Sequence, residues 1–129
     1  MPTLPLAGIR VLDLSTVLAA PVTATFLGGF GAEVVKVEDP ARGDFTRGTA
    51  DGARSAYWAR EARNKKSVTL DLRTAAGQRI VRELVPRFDV VITTYRPPTL
   101  EKWGLSPDSL SALAPDTRPS ADCPRCCSA

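Results

Sequence analysis

Short apolar runs alternate with amphipathic stretches along most of the chain. Residues 9–14 and 33–38 are predicted to be strands, because each apolar run is short and follows a glycine-containing turn. Between them, apolar residues recur at helical spacing behind Pro21 until a glycine-rich segment ends the predicted helix. Strand, helix and strand within about thirty residues indicate a right-handed βαβ unit. Such a unit implies a parallel sheet, whose ligands bind beyond the carboxyl ends of the strands.

The same alternation continues after a polar, glycine-rich segment. Thr74 is a predicted N-cap and Gly104 a predicted helix end. The whole pattern predicts an α/β fold with a Rossmann-like parallel sheet and flanking helices. The expected later elements are a short helix at 55–62, a strand at 67–72, a helix at 75–85, a strand at 88–93, a helical turn at 99–103 and a helix ending at 113.

The last residues do not continue the pattern. We expect residues 1–114 to form one domain and residues 115–129 a tail that supplies no strand to the sheet, because the tail is rich in proline and lacks large apolar side chains. It contains three cysteines, but a structural zinc site requires four ligands and the sequence has no histidine, so no metal site is predicted. The cysteines are Cys123, Cys126 and Cys127.

Composition narrows the function classes. No apolar run approaches the roughly 20 residues of a membrane span, and no secretory signal is visible, so a cytoplasmic protein is expected. The net charge is +3, and the span Arg54–Arg73 alone carries six basic and two acidic residues. Asn64, Lys65 and Lys66 are predicted to form an exposed cationic loop. Since the basic patch has no base-stacking aromatics on a predicted strand face, it fits a phosphorylated small molecule better than a nucleic acid.

Three segments together carry a resemblance. They are Pro5–Leu14, Asn64–Leu72 and Tyr95–Leu100, and they resemble the N-terminal part of the class III coenzyme A transferases over about residues 4–114. The resemblance implies acyl-CoA and carboxylic acid substrates, no permanently bound cofactor, and an interlocked homodimer for full-length members. The state of this chain alone stays open.

The resemblance also implies a coenzyme A site. The turn after the first strand would line it, Leu70 would touch the adenine, and Arg73 would serve the phosphates. Asp39 stands where an Arg is frequent, and a nearby Arg42 would have to offset its charge. Candidate contact residues are Val17, Leu18, Ala19, Leu70, Arg73, Thr94, Tyr95, Thr99 and Lys102, with Thr94 standing where Asn is common.

No catalytic residue is assigned within the chain. In the family, an aspartate in a downstream region attacks the acyl-CoA thioester and a covalent relay follows. We therefore expect this polypeptide alone to be inactive. We also hypothesise that the tail is a frameshifted or mis-joined end, because family members continue with another hydrophobic strand and a glycine-rich loop.

Several alternatives remain open at the level of sequence. A 2-methylacyl-CoA racemase would share the early motifs, and a non-catalytic CoA-binding remnant would share the fold. Glu38, Asp39 and Asp71 could form an acid-base set, although acids beside Lys and Arg at strand ends are more often structural ion pairs. The first strand-to-helix turn lacks GxGxxG, which argues against a nicotinamide or flavin enzyme.

Overall fold

The computed structural model describes residues 4–48 and 55–113, together with the backbone of residues 118–119. Strands and helices alternate along the chain, as the hydrophobic pattern predicted. In order they are β1 Arg10–Asp13, α1 Ala19–Gly29, β2 Glu33–Glu38, α2 Ala56–Glu61, β3 Lys65–Thr69, α3 Ala75–Leu84 with a 3₁₀ turn at Val85–Arg87, β4 Val90–Ile92, α4 Pro97–Trp103, α5 Pro107–Leu113 and β5 Arg118–Pro119.

The strands form one parallel sheet in the order β3-β2-β1-β4-β5. Helix α1 connects β1 to β2, and α3 connects β3 to β4, as parallel strands of one sheet require. The chain builds outward from β1 through β2 and β3 and then crosses to β4 on the other side of β1. The β1/β4 border is therefore a topological switch point, where ligands of open α/β sheets bind. This confirms the predicted Rossmann-like fold.

The two faces of the sheet have different cores. On the α3 face, Leu12 and Val91 pack against Val81, Val85 and further buried apolar residues of α4 and α5. On the α1 face, a smaller cluster of five buried apolar residues lies under α1. These five are Val11, Ala24, Ala32, Val34 and Ile92. Burial on both faces explains why β1, β2 and β4 are near-continuous apolar runs.

Local chemistry fixes the start of α3 as predicted. The Thr74 hydroxyl accepts a hydrogen bond from the backbone N–H of Gly77 at 3.1 Å, which satisfies one orphan donor of the first turn. A Cβ atom at Gly77 would lie 2.1 Å from the backbone oxygen of Asp71, so only glycine lets the helix approach that segment. The predicted end of α4 at Gly104 is also present, with φ at 65°.

Two boundary predictions were wrong. Strand β3 begins at Lys65 rather than at residue 67, because its pairing with β2 uses backbone groups and does not require apolar side chains. The tail was expected to supply no strand, but Arg118–Pro119 pairs in parallel with Val90 and Val91. An edge strand tolerates proline, because the missing N–H can face away from the neighbouring strand. The remaining residues of the predicted tail, including its cysteines, lie outside the described residues.

Candidate functional site

A cavity of about 710 Å³ lies beyond the carboxyl ends of β1 to β4. Its lining comes from the turn after β1, the loop after β2, the segments after β3 and β4, and α4. These pieces are far apart in sequence and meet because parallel strands end at one edge of the sheet. The cavity therefore stands where the topology places a ligand.

Two threonines join the loops at the switch point. The Thr94 hydroxyl, just after β4, accepts a hydrogen bond from the backbone N–H of Thr16 at 2.9 Å, and the two hydroxyl oxygens lie 3.2 Å apart. Thr16 lines the cavity, whereas Thr94 is exposed, does not line the cavity and contacts Thr16. Thr94, predicted as a ligand contact, thus fixes the neighbouring turn.

The turn after β1 is strained and exposed at its tip. Val17 has φ at 74°, a left-handed conformation that is unusual for a β-branched residue. Val17, Leu18 and Ala19 are all exposed, and they lie beside Thr16 without lining the cavity themselves. Strain of this kind clusters at ligand sites and switch regions. Two large apolar side chains are therefore presented to solvent next to the cavity mouth.

An apolar and aromatic wall closes one side of the cavity. Leu70, Tyr95 and Thr99, all predicted contacts, line it together with Trp103. Tyr95 and Trp103 meet edge to face, with ring centroids 4.9 Å apart. Burial, helped by the charge of Asp39, raises the pKa of the Tyr95 hydroxyl, so it stays neutral at physiological pH. Trp103 was missed as a site residue, although its spacing from Thr99 on one helix places both on the same face.

Arg73 lines the cavity between two carboxylates. Its guanidinium Nε lies 2.8 Å from Asp71 Oδ1 and its Nη2 lies 2.9 Å from Asp39 Oδ2. Hydrogen bonding to Asp71 and the charges of both carboxylates raise the pKa of Arg73. Asp39 was expected to depend on Arg42 for compensation, and Arg73 supplies it instead. Arg42 also lines the cavity, and within the described part of the chain no carboxylate pairs with its side chain.

The loop after β2 is fixed by buried acids. Glu38 accepts hydrogen bonds from Arg47 at 2.6 and 2.8 Å and from the Ser67 hydroxyl at 2.6 Å. Burial alone would raise the pKa of Glu38, but these donors together outweigh burial and hold the pKa below its ordinary value. The Arg47 guanidinium also stacks over Trp58, 4.4 Å from the ring centroid. This polar, glycine-containing loop is therefore structured where it borders the cavity.

A row of charges crosses the α1 face beneath the cavity. Asp13 on β1 lies beside Lys36 on β2, and Lys65 on β3 donates a hydrogen bond to Asp13 Oδ2 at 3.0 Å. Lys36 Nζ also lies 2.9 Å from Asp44 Oδ2 in the loop after β2. The Lys36 and Asp44 side chains are each only 2% exposed. Burial at this depth demands pairing, and two cations face two carboxylates.

The expected exposed cationic loop at residues 64–66 was therefore partly wrong. The Lys65 side chain is 3% exposed and bonded to Asp13 and to the backbone oxygen of Pro21, so it cannot meet a ligand. Lys66 is exposed, but it pairs with Glu33 at 2.6 Å. The physical reason is strand alternation, which turns neighbouring side chains to opposite faces. A charged residue inside each of two buried apolar strands, Asp13 and Lys36, was the sequence signal for this row.

Lys102 is exposed in the last turn of α4, outside the lining of the cavity. The site residues predicted from sequence thus fall into two groups. Those that line the cavity are Leu70, Arg73, Tyr95 and Thr99; those that lie beside it or further out are Val17, Leu18, Ala19, Thr94 and Lys102.

The acids at the strand ends are held in ion pairs. Glu38 pairs with Arg47, while Asp39 and Asp71 pair with Arg73. Hydrogen bonding to Arg73 lowers the pKa of Asp71, so it is a poor general acid near neutral pH. This geometry favours the structural interpretation of these residues over an acid-base one.

Within the described residues, no group of three or more His, Cys, Asp or Glu could hold a metal ion. No helix there is both long enough and apolar enough to cross a membrane.

Comparison with known proteins identifies the family. The CoA-transferase family III matches residues 6–117, and the chain belongs to it. The match extends past residue 114, where the sequence analysis ended the resemblance. The family assignment made from the three sequence segments is confirmed.

Similar proteins are named as transferases of coenzyme A. The beta subunit of succinyl-CoA–L-malate CoA-transferase from Chloroflexus aurantiacus is 53% identical over 117 residues, which is 88% of this chain and 29% of that protein. Succinyl-CoA:glutarate CoA-transferase from Mus musculus is 41% identical, over 86% of this chain and 26% of that protein. The chain therefore spans less than a third of the length of these relatives.

Solved structures agree with the fold. A CAIB/BAIF family protein from Brucella suis superposes with a TM-score of 0.82 at 37% identity, over 92% of this chain and 33% of that one. A hypothetical protein from Mycobacterium tuberculosis gives a TM-score of 0.84 at 39% identity, with the same coverage. At this identity, the likeness extends to the family as well as to the topology.

Proposed function

We propose that this chain is the nucleotide-binding part of an enzyme that transfers coenzyme A from an acyl-CoA to a carboxylic acid. The observation that carries the proposal is the meeting of Leu70, Arg73, Tyr95 and Thr99 in one cavity at the carboxyl ends of the strands. These residues were assigned to coenzyme A from the sequence alone, and they derive from two separate segments, residues 70–73 and 95–99.

The chemistry of the cavity suits a nucleotide. Leu70, Tyr95 and Trp103 offer an apolar surface to an adenine, and stacking on an aromatic ring favours a planar base. The Arg42 guanidinium lies at the cavity without a carboxylate partner among the described residues, and Lys102 adds a cation further along α4. Arg73, already shared by Asp39 and Asp71, contributes less net positive charge to a phosphate. In this proposal, the exposed turn Val17–Ala19 beside the cavity contacts the thin pantetheine arm.

The relatives support a choice of substrate class. The Chloroflexus aurantiacus and Mus musculus proteins are named for succinyl-CoA as donor and for dicarboxylic acids as acceptors. We infer the same donor and acceptor class here. The reported relatives are transferases, which does not favour the racemase alternative. We propose four further features for the whole protein. It carries the nucleophilic aspartate, forms an interlocked homodimer, is located in the cytoplasm and holds no permanently bound cofactor.

Binding of free coenzyme A tests the site. We expect calorimetry to show binding to the 129-residue chain at low salt that weakens toward about 0.15 M ionic strength, because exposed cation-phosphate contacts are screened there. Leu70→Asp should abolish binding through its charge beside the adenine, and Arg42→Ala should weaken it and reduce the salt dependence. Lys66→Ala is the matched control, since it removes an exposed cation that pairs with Glu33. Wild-type affinity in Leu70→Asp would refute the assigned site.

Turnover requires a longer polypeptide. The 129-residue chain alone should exchange no CoA between succinyl-CoA and malate, citramalate or glutarate. A chimera in which residues 6–117 replace the matching segment of succinyl-CoA–D-citramalate CoA-transferase from Chloroflexus aurantiacus, 48% identical, should retain exchange. A folded chimera that binds CoA without exchange would support the remnant interpretation. Racemisation of a 2-methylacyl-CoA would move the assignment to the racemase branch.

A further inference from the structure

Lys36 occupies an unusual position relative to the cavity. It lies in the middle of β2 on the α1 face, and its side chain is 2% exposed. It is not part of the cavity lining, yet groups on both sides of the cavity converge on its ammonium. Its Nζ donates a hydrogen bond to the backbone oxygen of Ser15 at 2.8 Å and lies 2.9 Å from Asp44 Oδ2.

The first of these partners belongs to the turn after β1. Ser15 lines the cavity and precedes Thr16, whose backbone N–H is held by Thr94. The hydroxyl and backbone N–H of Ser15 both donate to Asp13 Oδ1. Since Asp13 Oδ2 also lies 3.8 Å from Lys36 Nζ, this turn is tied to the ammonium directly and through a carboxylate.

The second partner belongs to the loop after β2. Asp44 lines the cavity and accepts a hydrogen bond from the backbone N–H of Thr46 at 2.8 Å, so its carboxylate also shapes the loop around it. The loop has a further tie to the sheet through Arg47 and Glu38. The Lys36 ammonium therefore bonds both the loop after β2 and the turn after β1.

A purely structural role would not require a charge. Burying a lysine costs desolvation free energy that well-packed apolar residues avoid, and replacing a buried ion pair by such residues is often neutral or stabilising. Val34, two residues earlier on the same face of β2, is buried and shows that this face of the strand accepts valine. An ammonium can bond a backbone oxygen and a carboxylate on opposite sides of one cavity at the same time and so fix their relative positions. An apolar side chain cannot.

We propose that Lys36 is a positioning residue for the ligand: its buried ammonium sets the spacing between the turn after β1 and the loop after β2, and thereby the affinity of the cavity. The inference rests on the proposed function in so far as coenzyme A is the ligand used to read out affinity. The geometry of the two loops can be measured without any ligand.

The test compares Lys36→Met, which keeps length and removes the charge, with Lys36→Arg, which keeps the charge. Asp44→Asn is a milder variant in case Lys36→Met does not fold. Val81→Ala is the matched control for lost stability, because Val81 is fully buried on the opposite face, in α3. Each folded variant is titrated with coenzyme A, and backbone amide hydrogen exchange of residues 14–18 and 39–48 is measured without ligand.

We expect Lys36→Met and Asp44→Asn to weaken coenzyme A binding roughly 2- to 30-fold, the range found for residues that act without touching the ligand. Exchange should accelerate in both segments in Lys36→Met, and Lys36→Arg should recover part of both effects. Val81→Ala should lower stability and leave affinity and local exchange unchanged. Wild-type affinity and wild-type exchange in folded Lys36→Met and Asp44→Asn would overturn the proposal.

The two proposals fail differently. If wild-type protein does not bind coenzyme A, the proposed function fails, and the exchange of the two segments still decides whether Lys36 positions them. If wild-type protein binds and the variants bind equally well with unchanged exchange, only the role of Lys36 fails.

Discussion

The α1 face and the α3 face of the same sheet are built in different ways. On the α3 face, eleven buried apolar residues of the described chain, from strands, helices and the segments that connect them, form one continuous core. On the α1 face, the apolar cluster has five buried members among the described residues, and toward the carboxyl ends of β1 and β2 it gives way to Asp13 and Lys36. The Lys65 side chain reaches Asp13 from the first residue of β3. The apolar face is the kind of core that stabilises any α/β domain. The charged part of the other face lies directly under the cavity.

The difference separates what holds the fold from what shapes the site. Apolar contacts are non-directional, so the α3 face tolerates exchange among residues of similar volume. Ion pairs and hydrogen bonds are directional, so the charged row fixes particular backbone oxygens and loop carboxylates at particular distances. We therefore expect substitutions on the α3 face to change stability more than affinity, and substitutions in the charged row to change both.

The largest effect on the free energy of unfolding is expected when two adjacent lysines on β3 are replaced and compared. Lys65→Met removes a buried cation from Asp13 and should lower the free energy of unfolding by about 3 kcal/mol, since it leaves a buried carboxylate short of a partner. Lys66→Met removes an exposed cation and should leave stability close to that of the wild type. Urea unfolding followed by circular dichroism measures both. Equal effects of the two substitutions would contradict the assigned burial.

An intermediate effect is expected from two glycines. Gly77→Ala should destabilise by roughly 1–3 kcal/mol, because the new methyl group meets the backbone oxygen of Asp71 and must displace α3 or the cavity segment beside it. Gly29→Ala is the control, since no atom lies within 4 Å of a Cβ there. Since Gly29 is the last residue of α1, the substitution should be neutral or only slightly stabilising. A stable Gly77→Ala variant would show that the close approach does not exist in solution.

The smallest expected effect is a loss of stability in acid. Burial alone would raise the pKa of Asp44, but hydrogen bonds from Thr46 and Lys36 outweigh it and hold the pKa below its ordinary 3.8. The pKa of Glu38 likewise lies below its ordinary 4.5. Carboxylates of this kind contribute stability that is fully present above their unfolded-state pKa values and is lost as the pH falls through the lower folded-state values. At pH values below about 4, the urea concentration at the unfolding midpoint should therefore decrease. The decrease should be smaller in Asp44→Asn than in the wild type.

Most of the fold was predictable from the sequence because its signals are local. Apolar runs in β1, β2 and β4, the cap at Thr74 and the helix end at Gly104 each depend on neighbouring residues. The start of β3 and the pairing of Arg118–Pro119 were not predictable in this way, since backbone pairing with a distant strand decides them. Polar residues can join a sheet edge without leaving a hydrophobic pattern.

The candidate site also has features that were predictable from the sequence and features that depend on contacts between distant segments. Resemblance to the family placed Leu70, Arg73, Tyr95 and Thr99, which the fold brings into one cavity. It did not predict that Arg73 would be shared by two carboxylates, because that depends on how Asp39 and Asp71 approach each other from different strands. The residue pattern placed Lys65 in an exposed cationic loop, because strand alternation begins two residues earlier than the apolar pattern shows.

Mapping coenzyme A by amide hydrogen exchange tests the location of the site most directly. The measurement compares the 129-residue chain with and without excess coenzyme A at low salt. We predict slower exchange in residues 15–20, 39–48, 70–73 and 94–103, which surround the carboxyl ends of β1 to β4, and unchanged exchange in α3 beyond its first turn. Protection confined to other segments, such as residues 60–66, or no protection at saturating coenzyme A, would contradict the account.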